Sequence, residues 1–338
     1  MSQPDIAVRR STVLESKRPV FVLGSPRSGT TLLYHMILSA GNFAVYRTES
    51  NVFNLLAPRF GNLSIRANRQ ALMKVWLGSK LYTRSGLGAA QIKKKILEEC
   101  TDAGSFMRIV MGEMARQQGV ERWADCTPDH LLYLAEIKKA IPEALVIHIL
   151  RDGRDVALSL DKQRWIRPFP WDRDQSLLVA GFYWEWIVNQ GRKNGGTLGG
   201  DYIEIHFEDL IQQPRRTLAQ LGKFIQHDLN YDRILKVGIG SVSDPNTSFG
   251  SASGEGAFNP VGRWRTQFSA EQLTTFETLL GPTLASLGYP LVSNAPRAPN
   301  WKARSSQSMY ETWFRMKVWL KSKTPLGRWL ISDDLSWL

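Results

Sequence analysis

The chain has 338 residues, of which 43% are hydrophobic and 22% charged, enough apolar mass for a full core, and this excludes a wholly disordered polypeptide. Its 43 lysines and arginines exceed its 31 aspartates and glutamates, and the formal charge of +12 points to an anionic partner. No zinc-finger spacing and no run of five basic residues accompanies that charge, which argues against nucleic acid and leaves an anionic membrane or a polyphosphorylated ligand.

Residues 1–18 scatter their charges and hold no sustained apolar core, so they read as a loose tail, neither signal peptide nor anchor. PVFVLG at 19–24 is a short apolar strand leading into a helix from about Gly29 to Ala40, with Leu32, Leu33, Met36 and Ile37 on one stripe. Helical patterns follow at 89–118, broken near Cys100 to Gly104, and at 129–140. ALVIHILR at 144–151, just after Pro142, suits a parallel strand buried on both faces. Further helices are expected at 153–160 and 174–193, a strand at YIEIHF (202–207), and a helix at 208–226 that Pro214 interrupts early. Strands alternating with helices predict an α/β fold, a P-loop-type central parallel sheet flanked by helices in a single domain. The segment 238–262, rich in Gly, Ser, Asn and Pro, is too long for a plain connector and reads as a functional loop or a partly disordered stretch. The domain is expected at 19–293, followed at 294–338 by a basic, tryptophan-rich helical extension. Only two cysteines, Cys100 and Cys126, and no apolar run long enough to span a bilayer make a cytoplasmic location the expectation.

VFVLGSPRSGTT (20–31) carries the chemistry. Gly24 and Gly29 stand at Walker spacing, and backbone N–H groups in such a loop, with the N-terminus of the next helix, offer donors and a positive dipole end to an anion. Thr30 and Thr31 add hydroxyls, and Arg27 puts a guanidinium in mid-loop, where it can grip two oxygens at once. A Walker loop places lysine after the second glycine to reach β/γ-phosphates; here Thr30 stands there. Nor does the best candidate strand, LVIHIL, end in the acidic residue that helps hold Mg²⁺; it runs into Arg151. Both departures point away from a nucleoside triphosphate.

The loop and three later segments together resemble the sulfotransferases that use 3′-phosphoadenosine 5′-phosphosulfate (PAPS), most closely the tyrosylprotein-sulfotransferase branch and its bacterial relatives. The resemblance implies that Pro26, Arg27, Ser28, Gly29, Thr30 and Thr31 cradle the 5′-phosphosulfate. In LRDGRDVALS (150–159) it assigns Arg151 and Ser159 to the 3′-phosphate, with Asp152, Arg154 and Asp155 readable instead as an ion-pair cluster. In NPVGRWRTQFS (259–269) it assigns Gly262, Arg263 and Trp264 to a loop that closes over the donor, the tryptophan either packing on the nucleotide or anchoring the loop. HFEDLIQQPRRTL (206–218) supports the fold more than the chemistry. It also makes Glu49, in VYRTESNVF, the base that takes the acceptor proton; the competing reading is a surface glutamate paired with Arg47 or capping a helix.

One departure stands out in WADCTPDH (123–130). Relatives commonly carry a lysine before Thr-Pro to assist the leaving oxygen, whereas this chain has Cys126, so that role passes to Arg27 or another cation, with His130 as a candidate. The insert DKQRWIRPFPWDRD (161–174) reads as an acceptor wall, and Trp184 and Trp186 as core. From Pro296 onward, eight basic residues stand against three acidic, and an apolar stripe runs through Met309, Trp313, Met316 and Leu320. That helix either rests on anionic lipid or docks on its own domain or on a second subunit of a homodimer. The expected activity is metal-independent transfer of a sulfuryl group from PAPS to a hydroxyl acceptor. The alternatives are a P-loop kinase or NTPase and a non-catalytic nucleotide- or polyanion-binding module.

Overall fold

The computed structural model describes residues 17–242, 259–293, 301–324 and 326. Four parallel strands, β1 (Val20–Leu23), β2 (Ala124–Asp125), β3 (Leu145–Leu150) and β4 (Tyr202–His206), form one sheet in the order β2-β1-β3-β4. Phe21 pairs with Asp125 on one side and Val146 on the other, and Val146 pairs in turn with Tyr202. Because β1 is central, its side chains are buried on both faces: Phe21 and Leu23 enter one apolar cluster, Val20 and Val22 the opposite one. That is why β1 and β3 read as continuous apolar runs rather than alternating ones.

The helices around the sheet include α1 (Thr30–Ser39), α2 (Arg66–Leu77), α3 (Ala89–Glu99), α4 (Ala103–Gln117), α5 (Gly153–Gln163), α6 (Ser176–Gly195), α7 (Phe207–Gln212), α8 (Pro214–Ile225), α9 (Ala270–Ser286) and α10 (Trp301–Lys323). The break between α3 and α4 is a reciprocal cap, Asp102 accepting from Ser105 N–H at 2.7 Å while Ser105 Oγ accepts from Asp102 N–H at 2.9 Å. Pro214 separates α7 from α8. The result is the expected α/β domain. The sequence reading placed no element in 57–85, where the structure has α2 and a shorter helix, Lys80–Ser85. FAVY, read as strand-like, forms only an isolated bridge between Phe43 and Arg122.

Helix α10 docks on its own domain. Tyr310 and Phe314 are buried, Tyr310 OH donates to Asp172 Oδ2 at 2.9 Å, and Gln307 Nε2 donates to Glu185 Oε2 at 2.5 Å. The docked stripe is therefore Tyr310, Trp313 and Phe314, rotated from the expected one, and Met309 and Met316 face solvent at 38% and 41% exposure. No described helix is long and apolar enough to cross a membrane. The glycine-serine stretch and the last two tryptophans, Trp329 and Trp337, lie outside the described residues.

A buried histidine in the sheet gives the fold a pH signature. His148 on β3 is wholly buried and shares a 2.6 Å hydrogen bond with Tyr202 OH, and burial pushes its pKa down to about 4. The unfolded chain binds a proton near pH 6.5, so between about 6.5 and 4 it holds more protons than the folded one and stability falls with pH. Full protonation costs about 3 kcal/mol. Melting temperature measured across that window is expected to drop more steeply for the parent than for His148→Asn.

Candidate active site

The loop between β1 and α1 is built for close approach. Gly24 cannot carry a side chain, since a Cβ would meet Ile149 O at 2.5 Å, and at Gly29 (φ 94°) a Cβ would meet Phe207 Cδ2 at 2.3 Å. Ser28 N–H closes the turn on Ser25 O at 3.0 Å, and Arg27 sits between them at φ 72°, a left-handed backbone unfavourable for a long side chain. Helix α1 begins after Gly29 with no side-chain cap and no acidic residue in its first turn, so its leading N–H groups face the loop. Ser28 Oγ is buried without a hydrogen-bond partner. Thr30 is buried, Pro26 half-buried, and Thr31 exposed.

Three arginines from distant stretches meet at this loop. Arg27 Nε donates to Ser159 Oγ at 2.9 Å, and the Arg27 guanidinium lies 5.4 Å from the centroid of the Trp165 ring. Arg151, at the end of β3, is buried; its Nη1 donates to Arg27 O at 2.8 Å, its Nη2 to Pro260 O at 2.5 Å, and its Nε has no partner. The Phe207 ring lies 4.5 Å below its guanidinium. Burial lowers the pKa of Arg27, and Arg263 lowers it further; Arg151 is lowered by burial first, with Arg263 and Arg27 adding to it against Asp155 and Glu208. Like charges are thus drawn together in a half-buried space.

The segment around Arg263 is held from beneath by α5. Asp155 accepts from Gly262 N–H at 2.7 Å and from Trp264 N–H at 3.0 Å, with Gly262 at φ 75°. Arg154 pairs with Asp152 at 2.7 Å and Glu277 at 2.6 Å, and its guanidinium lies 3.7 Å from the centroid of the buried Trp264 ring. Trp264 therefore takes the anchoring position, and the charges of 152–155 form a buried clamp rather than a surface cluster.

Glu49 sits on the same sheet edge, over β2. Its segment is pinned by a hub that the sequence reading missed. Asp125 accepts from Thr127 N–H (3.2 Å), Thr127 Oγ1 (3.1 Å) and His130 Nδ1 (2.8 Å), and Thr127 Oγ1 in turn accepts from Ser50 N–H at 2.9 Å. Phe53 N–H donates to His130 Nε2 at 3.1 Å. With both ring nitrogens engaged in a buried site, His130 is a structural member of the hub, which withdraws it as a leaving-group cation. Asp125 is an acidic residue at the end of a strand next to β1, so the expectation that none stands there is corrected, although both its oxygens are committed. Glu49 is exposed at the surface, as in the competing reading; desolvation by the protein around it first, then Asp129 and Asp125, raise its pKa towards about 7, a shift that the water reaching it screens in part. The groups bearing on Glu49 are these carboxylates; Arg47 and a helix cap play no such part. Cys126 is buried, and burial, Asp125 and Glu49 hold its thiol well above the usual range, so it supplies no charge at all.

A cavity of about 600 Å³ adjoins the site, sharing Trp165 with Arg27 and Asp129 with Glu49. A second hollow of about 580 Å³, between Arg215 and Asp232, is a surface depression beside α8 and contains none of the loop residues. Among the described residues no three His, Cys, Asp or Glu side chains cluster as metal ligands.

Comparison with known proteins accords with this geometry. An uncharacterised protein of Aquifex aeolicus (strain VF5) is 25% identical over 229 residues, 65% of this chain, and the chain spans only 27% of that protein's length. The "Putative protein-tyrosine sulfotransferase" of Caenorhabditis briggsae is 25% identical over 287 residues, 82% of this chain and 91% of that protein. Among solved structures, the sulfotransferase domain from the curacin biosynthetic pathway aligns with a TM-score of 0.51 at 16% identity, covering 82% of this chain and 99% of that one, which speaks for the fold alone. The model of the sulfotransferase family matches residues 19–231, well over half of the chain, and the protein is accordingly an enzyme of the sulfotransferase family.

Proposed function

We propose that the enzyme moves a sulfuryl group from PAPS to a hydroxyl acceptor by in-line displacement, with Glu49 as base and no metal taking part. The observation that carries this reading is the convergence of Arg27, Arg151 and Arg263, whose mutual repulsion in a half-buried space a polyanion would relieve. The fit extends to the loop: its glycines admit no Cβ, its helix N-terminus is uncapped, and Ser28 Oγ and Arg151 Nε are buried without partners.

When bound, PAPS supplies an activated sulfuryl group attached to a phosphate leaving group. The loop amides, Ser28, Thr30 and Thr31 hold its 5′ end, with Pro26 and Gly29 shaping the turn, while Arg151, Ser159, Gly262 and Arg263 hold its 3′-phosphate and Trp264 anchors the segment over it. Arg151 then gives up the Pro260 carbonyl for a more strongly charged acceptor, while Ser159 Oγ goes on accepting from Arg27 Nε and donates its own O–H to the phosphate. Glu49 takes the acceptor proton as the acceptor oxygen bonds to sulfur, and Arg27 steadies the charge left on the departing phosphate oxygen. Arg27 thereby covers the position at which Cys126 offers no cation.

A nucleoside-triphosphate kinase is the competing reading, and the commitment of both Asp125 oxygens to Thr127 and His130 counts against it. A thermal-shift comparison separates the two. Saturating 3′,5′-phosphoadenosine (PAP), at about a hundred times its Kd, adds about 2.7 kcal/mol and raises Tm by roughly 4 °C. Stabilisation by ATP with Mg²⁺ but not by PAP would sink the sulfotransfer reading.

A further inference from the structure

We infer that the docked C-terminal helix α10 forms a wall of the acceptor pocket and selects a small amphiphile, an apolar hydroxyl compound that carries an anionic group. The inference rests on the PAPS-dependent reading above for the reaction itself, but not for the binding. Helix α10 lies beyond residue 231, where the family match ends.

The 600 Å³ cavity is of a size to hold one ligand of a few hundred daltons. Its connection to the reaction runs through two side chains. Trp165, 55% exposed, stacks beneath the Arg27 guanidinium, and Asp129 is the nearest-acting charge on Glu49. A molecule lying against Trp165 and Asp129 therefore sits between the proposed base and the proposed leaving-group cation. Opposite them stand Trp186 from α6 with Trp313 and Phe314 from α10, which makes the body of the cavity aromatic. Two buried polar atoms in these walls, Asn54 Oδ1 and Trp186 Nε1, have no hydrogen-bond partner, so the lining is not a closed hydrophobic core.

Charge narrows the ligand further. Arg167, Lys317 and Lys321 line the cavity against a single carboxylate, Asp129. Neither Arg167 nor Lys317 pairs with a carboxylate among the described residues, and the Lys317 ammonium lies 5.9 Å from the centroid of the Trp313 ring. Arg167 and Lys317 come to the same cavity from two different elements, which suits a single anionic group on a compact molecule. An acidic peptide would spread its charges along an extended strand instead. The arrangement is an aromatic recess for an apolar body, a carboxylate base beside the hydroxyl, and the Arg167 and Lys317 charges for the anion.

The test uses two matched probes, 6-(4-hydroxyphenyl)hexanoic acid and 4-hexylphenol, together with a hexapeptide in which tyrosine is flanked by aspartates. Binding is read from quenching of tryptophan fluorescence with and without PAP, and turnover is measured separately. The acid is expected to bind about tenfold more tightly than the phenol, the weight of one good charged contact. The double charge reversal Arg167→Glu/Lys317→Glu removes that preference and leaves PAP affinity and Tm at their parent values. Equal binding of acid and phenol, equal weakening of both by the reversal, or tighter binding of the peptide would overturn the inference. Acid binding without turnover would retain the pocket and remove the transfer chemistry, whereas turnover of phenol and acid alike without preference would do the reverse.

Discussion

Glu49→Gln is expected to lower kcat by about a thousandfold while leaving PAP affinity within about twofold of the parent. The carboxamide keeps the size of the carboxylate but cannot accept the acceptor's proton. Because the residues proposed to hold the donor lie on the β1–α1 loop, at the end of β3, on α5 and in the 259–264 segment, and Glu49 is tied through Ser50 to the stretch after β2, the loss is expected to fall on the chemical step and not on donor binding. Retained turnover in Glu49→Gln would remove this residue as the base.

The pH profile carries a sharper version of the same prediction. With its pKa raised towards about 7 and that shift partly screened by water, Glu49 takes up its proton in the mildly acidic range, so kcat/KM falls about tenfold per unit below that pKa and levels off above it. Burial is the largest cause of the shift and Asp129 the next. Asp129→Asn therefore moves the acid limb to lower pH without returning it to the range of an exposed carboxylate. An unmoved limb would mean that another group sets it.

These residues differ in how visible they are before folding. The strand, loop and arginines announce themselves because each lies in one short contiguous run, and burial on both sheet faces leaves an unbroken apolar signal in β1 and β3. Asp125 leaves none: β2 is two residues long, too short for any period, and the hub joins Asp125, Thr127 and His130 to Ser50 and Phe53 from a separate stretch. The same is true of Phe207, read only as a fold marker, whose ring packs both against Gly29 and under Arg151. On α10 the apolar pattern was visible but its facing was not. The helix carries apolar side chains on two sides, and it is the hydrogen bonds of the Tyr310 hydroxyl, to Asp172 and from Phe169 N–H, that decide which side turns inward. Tertiary partners settle what periodicity leaves open.

Arg27→Ala is expected to cut kcat by at least a hundredfold, about what loss of one preorganised charge costs at a developing oxyanion, and to weaken PAP binding as well. Arg27→Lys is expected to restore little, since an ammonium lacks the planar fork that bonds Ser159 while spanning two ligand oxygens. The stability readout separates a binding role from a merely structural one. In the free protein Arg27 adds to the repulsion that lowers Arg151, and it holds an unfavourable backbone at φ 72°. Removing its charge relieves the first and forfeits the Ser159 hydrogen bond and the Trp165 contact, terms of opposite sign and similar size. The Tm of free Arg27→Ala should therefore stay within about 2 °C of the parent, while the rise produced by saturating PAP shrinks by more than half. A large fall in Tm with the PAP-induced rise intact would instead make Arg27 a strut of the loop. The two outcomes move different quantities, the free Tm or the PAP-induced rise, so melting curves of parent and variant with and without PAP assign the mid-loop arginine to the donor or to the fold.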